Sequence, residues 1–366
     1  MINIRLLAWL TQKIGINKLV YKIIYFFQKR AIVPSETDWK MYLSTINPDV
    51  GMSCLCKNEI APKEERIDLV IIIPVYNTEQ YIAECIESAL NQRTRFTYRV
   101  IIVNDGSTDG SSDIINRYIK DERIKVIHQE NRGFSGARNR ALEYIDGNYV
   151  MFLDSDDRLA EGAVEKLLDK AYEGDYDIVG GGYTRFYDTK YRSKTLANPN
   201  QLFGHPWGKV YKAEIWEKVQ FPNNYWFEDT VNAMIVHDYA KRITTIPDVV
   251  YDHRINRNGI TSSSGGNSKV IDTLWVTIKL LNDRKALGLP FDTKFSDSFI
   301  NQCKINTWRI STLGDKQANV ANFLASKDLF FLFFMDAKCQ KENNKYIEEA
   351  FMKDDFWQFY LACLFL

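Results

Sequence analysis

The sequence predicts an α/β protein: a mixed, mostly parallel sheet flanked by helices, with a helical extension before it and a helical region after it. Three observations carry that prediction. From Asp68 to about Tyr183, short apolar runs alternate with stretches of helical period, the pattern of repeated βα units. Gly, Asn and Asp residues collect where the apolar runs end, and in an open parallel sheet that rim is where a ligand binds. The segment Tyr149-Val-Met-Phe-Leu-Asp-Ser-Asp-Asp157 starts as an apolar run and stops in a cluster of carboxylates. It is too short for a helix and too apolar for a surface loop, so it reads as a buried strand with an acidic end.

Each element can be justified in order. Arg5, Lys13, Lys18, Lys22, Lys29 and Arg30 all precede Glu36, the first acidic residue, and are interleaved with Leu10, Ile14, Leu19, Ile23 and Phe27. This predicts a basic amphipathic helix, or a helical pair broken near Gly15. Such a segment can lie in an anionic membrane interface or pack on the main domain with its lysines in water. The absence of acids favours the membrane. Leu69–Ile73 is the first predicted strand, followed by a helix over 79–91. Arg99–Val103 is the second, with a helix over 111–119. Ile124–His128 is the third, with a helix over 134–145. Tyr149–Leu153 is the fourth, with a helix over 161–172, and 177–184 reads as a further strand.

Between Asp188 and Asn200 the pattern is lost and a loop is expected. Structure resumes over 206–216 and 224–239. A Ser/Gly break at 261–267 then precedes helices over 269–281 and 295–313 and a helical tail. The expected division is an extension over 1–65, an α/β domain over 66–265 and a helical region over 266–366. The apolar runs Leu329–Met335 and Phe356–Leu366 are either helical core or a surface for membrane or for a second copy of the chain.

Composition narrows the function classes. The 366 residues are 45% hydrophobic, as in a soluble protein of about two domains. The 47 basic and 47 acidic residues cancel, so no overall field draws the chain to nucleic acid. Cys54, Cys56, Cys85, Cys303, Cys339 and Cys363, with four scattered histidines, show no zinc spacing. Free thiols at irregular spacing fit a cytoplasmic protein. No apolar run approaches the ~20 residues needed to span a bilayer. Lys22 interrupts the first apolar stretch and no small-residue cleavage site follows, which speaks against a secretory signal.

The strand ends carry the chemistry. Strand one ends in Pro74-Val-Tyr-Asn77 and strand two in Asn104-Asp-Gly-Ser-Thr-Asp-Gly110. Strand three leads to Asn131-Arg-Gly-Phe-Ser-Gly-Ala-Arg-Asn139, and strand four ends in Asp154-Ser-Asp-Asp157. In a parallel sheet all four clusters reach one rim. If the extended backbone continues through the last of them, Asp154 and Asp156 leave on one face and repel unless a cation is near. The competing explanation is a solvated acidic turn feeding the next helix. An aromatic face, acids, arginines and a carboxylate pair together suit a nucleoside diphosphate with a divalent ion.

These segments, with Pro206-Trp-Gly-Lys-Val-Tyr211 and Phe227-Glu-Asp-Thr230 further on, resemble the family 2 glycosyltransferases over about 68–261. The resemblance implies a GT-A fold and an inverting, metal-dependent transfer of a sugar from a nucleotide-diphosphate donor, a UDP-sugar. It implies that Pro74 and Tyr76 border the nucleotide, with Tyr76 stacked on the uracil and Asp105 accepting a hydrogen bond from the base. Asn131 and Arg138 join the donor side, although Arg138 can equally salt-bridge. Arg132 has no assigned role. Asp154 and Ser155 meet the ribose, and Asp156, the second acid of an Asp-x-Asp motif, meets Mn²⁺ or Mg²⁺.

An inverting transfer needs one general base. Asp229 is the choice, at the expected start of a helix whose dipole keeps it ionised, while Glu228 orients the acceptor. The alternative is that both acids only stabilise that helix end. Trp207 can stack on a sugar ring or be ordinary core. His253 can complete the metal shell or be structural, in a segment with Arg254 and Arg257 that can close over the diphosphate.

The expected partners are a nucleotide-sugar donor and a glycan or lipid-linked acceptor, in surface polysaccharide or glycoconjugate assembly. The expected location is the cytoplasm, peripheral on the inner face of the cell membrane, with a homo-oligomer through the C-terminal helices as a further possibility. The competing class is a GT-A binding module that holds a nucleotide sugar or glycan without turnover. A nucleotidyltransferase is disfavoured because no Gly-rich, lysine-containing loop follows strand one.

Overall fold

The β-branched runs of the sequence form the strands and their Gly/Asx ends form the turns. A computed structural model describes residues 4–28, 38–187, 190–195, 202, 204–256 and 265–366. Arg257, Lys29 and Arg30, and the start of the expected Ser/Gly break at 261–264, lie outside the described residues.

Strands β1 (Ile67–Val75), β2 (Tyr98–Asp105), β3 (Ile124–Gln129) and β4 (Gly147–Phe152) are parallel neighbours in the order β3-β2-β1-β4. Helices α4 (Ile82–Leu90), α5 (Ser111–Asn116) and α6 (Gly133–Leu142) cross between them, and three helices, α1 (Ile4–Lys13), α2 (Asn17–Gln28) and α3 (Trp39–Ile46), precede them. Past β4 the sheet continues with β8 (Lys209–Lys212), β6 (Ile178–Tyr187), β9 (Ile243–Arg254) and the short β5 (Arg158–Leu159). β8 runs antiparallel to both β4 and β6, whereas β6 and β9 are parallel. The sheet is therefore mixed and mostly parallel, as expected, and belongs to the GT-A class of folds.

β1 and β2 read as near-continuous Val/Ile because both faces are covered. Leu69, Ile71, Ile73, Val100, Ile102 and Met151 pack with Ile82 and Ile86 of α4 and with Leu167 and Leu168 of α7 (Ala163–Gly174) in one buried cluster. One expectation fails at the far edge. The polar stretch after Asp188 contains a strand, β7 (Lys190–Thr195), hairpinned on β6. Its Lys-rich sequence carries no apolar alternation because an edge strand is held by the ladder and protected by charge.

The chain forms two compact units, one of residues 52–224 and 228–259, the other of residues 1–51, 225–227 and 260–366. The second is helical. Its C-terminal helices, Asp272–Ala286, Thr293–Ile310, Lys316–Phe333, Glu342–Lys353 and Phe356–Phe365, take most of the two apolar runs into core, while Phe331, Leu332 and Met335 stay exposed. Phe330 and Phe351 have ring centroids 5.2 Å apart, Phe351 and Phe359 5.4 Å, and Phe323 and Phe359 5.2 Å. The helical break near Gly15 is present, with Gly15 at φ +74° between α1 and α2.

Candidate active site

The loops that close β1, β2 and β3 are tied to one another. Asn77 takes φ +52° where β1 ends, a left-handed conformation that Asn tolerates better than most residues. Its side-chain oxygen accepts from the Thr108 amide (2.8 Å), and its own amide donates to Ser107 Oγ (3.1 Å). Gly106 follows β2 at φ +72°, and a Cβ there would stand 2.9 Å from the Asn131 nitrogen. Only glycine lets the loop after β3 come this close.

Asp105 is buried at the end of β2. Its Oδ1 accepts from Gln129 Nε2 (2.6 Å) and from the Arg132 amide (2.8 Å), and Oδ2 has no protein partner among the described residues. The carboxylate is thus fixed by one oxygen and available through the other. Arg132, unassigned from the sequence, acts here through its backbone. Tyr76 is 45% exposed beside this cradle, an open ring suited to stacking. Pro74 is buried within β1 and offers no open surface. Asn131 spends its side-chain oxygen on the Gly133 amide (3.1 Å), shaping the start of α6.

The acidic end of β4 is a turn. The strand stops at Phe152, and the Asp157 amide donates to the Asp154 carbonyl (3.0 Å). The extended continuation expected through Asp156 is therefore absent. A turn, not strand alternation, brings Asp154 and Asp156 near each other. Ser155 is buried between them. Tyr251 and Asp157, neither singled out as site residues from the sequence, pin this turn. Tyr251 donates its hydroxyl to Asp157 Oδ2 (2.8 Å) and lies 3.1 Å from the Asp154 amide, while Asp157 Oδ1 accepts from the Arg254 amide (2.6 Å).

Of the two roles expected for it, Arg138 makes the salt bridge. It is buried on α6, where Nη2 reaches Asp154 Oδ1 (2.8 Å) and Nη1 reaches Glu228 Oε1 (2.5 Å). Two carboxylates hold it firmly protonated against the pull of burial. Burial pushes the Glu228 carboxyl above its ordinary value while Arg138 draws it back. Glu228 is therefore committed to an ion pair, which makes it a brace between the acidic turn and its neighbour Asp229. Asp229 sits just before the helical stretch that begins at Thr230, as expected, and the Asn232 amide donates to its carbonyl (2.9 Å). That stretch includes a π-helical segment, Asn232–Val236, a form found disproportionately at functional sites.

Trp207 is only 8% exposed. It stacks on His205 (3.3 Å between centroids), Tyr251 (4.4 Å) and His253 (5.2 Å), so no broad ring face is left open to a sugar. Sequence reasoning missed Lys209 on β8. It is buried, and its Nζ donates to the carbonyls of His205 (2.5 Å) and Trp207 (3.3 Å). Burial lowers its pKa to about 7 while the nearby Asp229 carboxylate pulls it up. A lysine inside the otherwise apolar run from Pro206 to Tyr211 was the available signal.

Asp156 and His253 fit a divalent cation. Burial, with Asp154 adding to it, pushes the Asp156 carboxyl upward even though Asn256 Nδ2 donates to it (2.9 Å). The buried Nδ1 of His253 has no hydrogen-bond partner, and burial lowers the pKa of this ring against the attraction of Asp154 and Asp156, keeping it neutral and able to ligate. Among the described residues no three His, Cys, Asp or Glu side chains are grouped to hold a metal ion unaided. The donor set therefore suits an ion that completes its shell with phosphate oxygens and water. Arg254 is not held ready to close over a ligand. It is ion-paired to Glu84, its Nε donates to the Asp156 carbonyl (2.7 Å), and its guanidinium lies 4.7 Å from the Tyr81 ring centre.

A mixed sheet whose carboxyl rim gathers an open aromatic ring, a fixed acid and an acidic turn is a setting in which α/β proteins bind ligands. Comparison with known proteins makes the family explicit. Residues 70–244 match the family described as glycosyl transferase family 2. Glycosyltransferase GlyG of Streptococcus pneumoniae is 30% identical over 245 residues, covering 60% of this chain and 81% of that protein. Poly(ribitol-phosphate) beta-glucosyltransferase of Bacillus spizizenii is 34% identical over 206 residues, covering 52% of this chain but 32% of that protein. Two further curated relatives are matched over 31% and 62% of their own lengths. Among solved structures, residues 1–349 of S. aureus TarS in complex with UDP-GlcNAc share the fold, with a TM-score of 0.57 at 18% identity over 81% of this chain and 90% of that one. The chain belongs to glycosyl transferase family 2.

Proposed function

We propose that the chain transfers a sugar, with inversion, from a nucleotide-diphosphate donor to a hydroxyl of a glycan or lipid-linked acceptor in the assembly of a cell-surface polymer. The observation that carries this is the buried chain Asp154–Arg138–Glu228, which links the donor-side acidic turn to the residue next to Asp229. A UDP-sugar is the donor of choice because Tyr76 offers an open ring and Asp105 an open oxygen at one edge of the rim. The TarS structure that shares the fold holds UDP-GlcNAc. A surface polymer as acceptor agrees with the poly(ribitol-phosphate) named for one relative. Such an acceptor places the work at the inner face of the cell membrane.

In this mechanism Tyr76 stacks on the base and the free oxygen of Asp105 accepts a hydrogen bond from it. The second oxygen of Asp154 takes the ribose while Arg138 keeps the first in place. Asp156 and His253 would hold Mn²⁺ or Mg²⁺, which when bound would supply positive charge to the departing diphosphate. Asp229 accepts the acceptor proton as the hydroxyl attacks the anomeric carbon from the face opposite the nucleotide. The buried Arg138–Glu228 pair fixes the backbone beside it, and Lys209 provides a cation within electrostatic reach.

The test is a panel of nucleotide sugars incubated with the protein with and without Mn²⁺, scored for release of nucleoside diphosphate. Metal-dependent release from a UDP-sugar is the expected result. Tight nucleotide-sugar binding with no turnover on any donor or acceptor would make the chain a binding module.

A further inference from the structure

α1 and α2 leave a large apolar face uncovered. An amphipathic helix on a globular surface normally turns its aliphatic stripe inward. Here the inward face is mixed, with Ala8 buried and Leu7, Val20 and Ile24 half-buried beside polar and aromatic groups. Tyr21 is buried edge-on against Tyr346, with centroids 5.5 Å apart, and Tyr25 Oη donates to Asp355 (2.5 Å). Gln12 and Asn17 donate from their side chains to the carbonyls of Leu364 (3.1 Å) and Phe365 (2.7 Å). A second, larger apolar face points outward. Ile14 is 68% exposed and Phe27 74%, with Trp9, Leu10, Leu19 and Ile23 also exposed. Leu19, Ile23 and Phe27 recur every fourth residue and so form one stripe.

Exposed apolar surface of this extent marks an interaction site, and its charge identifies the partner. Residues 4–28 contain Arg5, Lys13, Lys18 and Lys22 and no acid. Lys13, Lys18 and Lys22 are exposed beside the stripe. The Lys13 ammonium lies 3.8 Å from the Trp9 ring centre, an aromatic–cation pairing suited to a headgroup layer. A second copy of the chain, packed face to face, would oppose like charges. No helix among the described residues is long and apolar enough to cross a membrane, so the face suits lying on a bilayer.

We propose that α1 and α2 form a preassembled surface for anionic lipid, with Leu19, Ile23 and Phe27 entering the acyl boundary and Lys13, Lys18 and Lys22 at the phosphate level. The proposal does not depend on glycosyl transfer.

The test is co-sedimentation of the full chain with phosphatidylglycerol–phosphatidylcholine vesicles and with phosphatidylcholine alone. The protein should pellet with the anionic vesicles, and added salt should weaken this. Replacing Lys13, Lys18 and Lys22 together by Gln should lower partitioning roughly a hundredfold, at ~1 kcal/mol per basic residue near the surface. The double variant Ile23→Glu/Phe27→Ser should stay in the supernatant with unchanged circular dichroism and UDP affinity. Three results would each overturn the proposal: no pelleting of the wild type, equal pelleting of the double variant, or a lipid-indifferent dimer that the double variant dissociates.

Discussion

The two halves of the site are built on opposite plans. At the ends of β1 and β2, Tyr76 and Asp105 keep an open ring and an open oxygen, and the loops around them are locked by backbone and amide hydrogen bonds. Around β8 and β9 the charged groups Lys209, Arg138 and Glu228 are buried and held by one another, by Asp154 or by carbonyls. One half is prepared to receive a ligand. The other is a fixed interior field, which under the proposed mechanism is the preorganisation that a charge-separating transition state rewards. Affinity should therefore reside in the first half, and rate and stability in the second.

The largest expected effect is on rate. Asp229→Asn removes the proposed proton acceptor with little change of shape, so turnover should fall by about 10² to 10⁴ while UDP affinity, read by calorimetry, stays within about twofold. A comparable loss of UDP binding would break the division between the halves. Arg138→Leu should be next. It strands the Glu228 carboxylate in the interior and leaves Asp154 without its partner, and should lower stability by about 3–5 kcal/mol, measured by urea denaturation. Rescue by Lys would be partial, because Lys cannot bridge both acids with a planar fork.

Lys209 gives a test in pH. Its pKa falls from 10.5 in the free side chain to about 7 in the fold, so between those values the unfolded chain binds more protons than the folded one. The cost of burying the ammonium is fully present below about pH 7 and disappears as pH rises toward 10.5. Wild-type protein should thus gain roughly a few kcal/mol over that window relative to Lys209→Met. Parallel stability curves for the two would show that this amine does not titrate there. The smallest effect belongs to Tyr76→Ala, which should weaken UDP binding by about 1–3 kcal/mol, the usual worth of a base–aromatic stack, and leave folding unchanged.

The same division explains what the sequence made legible. The β1–β4 half is local: each strand, turn and helix follows within about thirty residues, and periodicity, Gly106 and the acid at 105 speak for themselves. The second half depends on pairings across long separations, β8 with β4 and β9 with β6, which no local pattern announces. So Asp229 was found at its helix start, but Arg138 was left between donor contact and salt bridge, and Trp207 between sugar stacking and core. Whether an arginine meets phosphate or a buried Glu228 ninety residues away is decided by tertiary packing. Lys209 and Tyr251 were missed for the same reason. The acidic turn was located, but its geometry was not, because a reversal and an extended strand can share the spacing Asp-x-Asp.

The central claim is that the acidic turn receives a nucleoside diphosphate through a cation. Calorimetric titration of UDP with and without Mn²⁺, into wild type and Asp156→Ala, tests it most directly. The account predicts binding that strengthens with Mn²⁺ in the wild type and loses that dependence in the variant. Equal UDP affinity in all four titrations would contradict it.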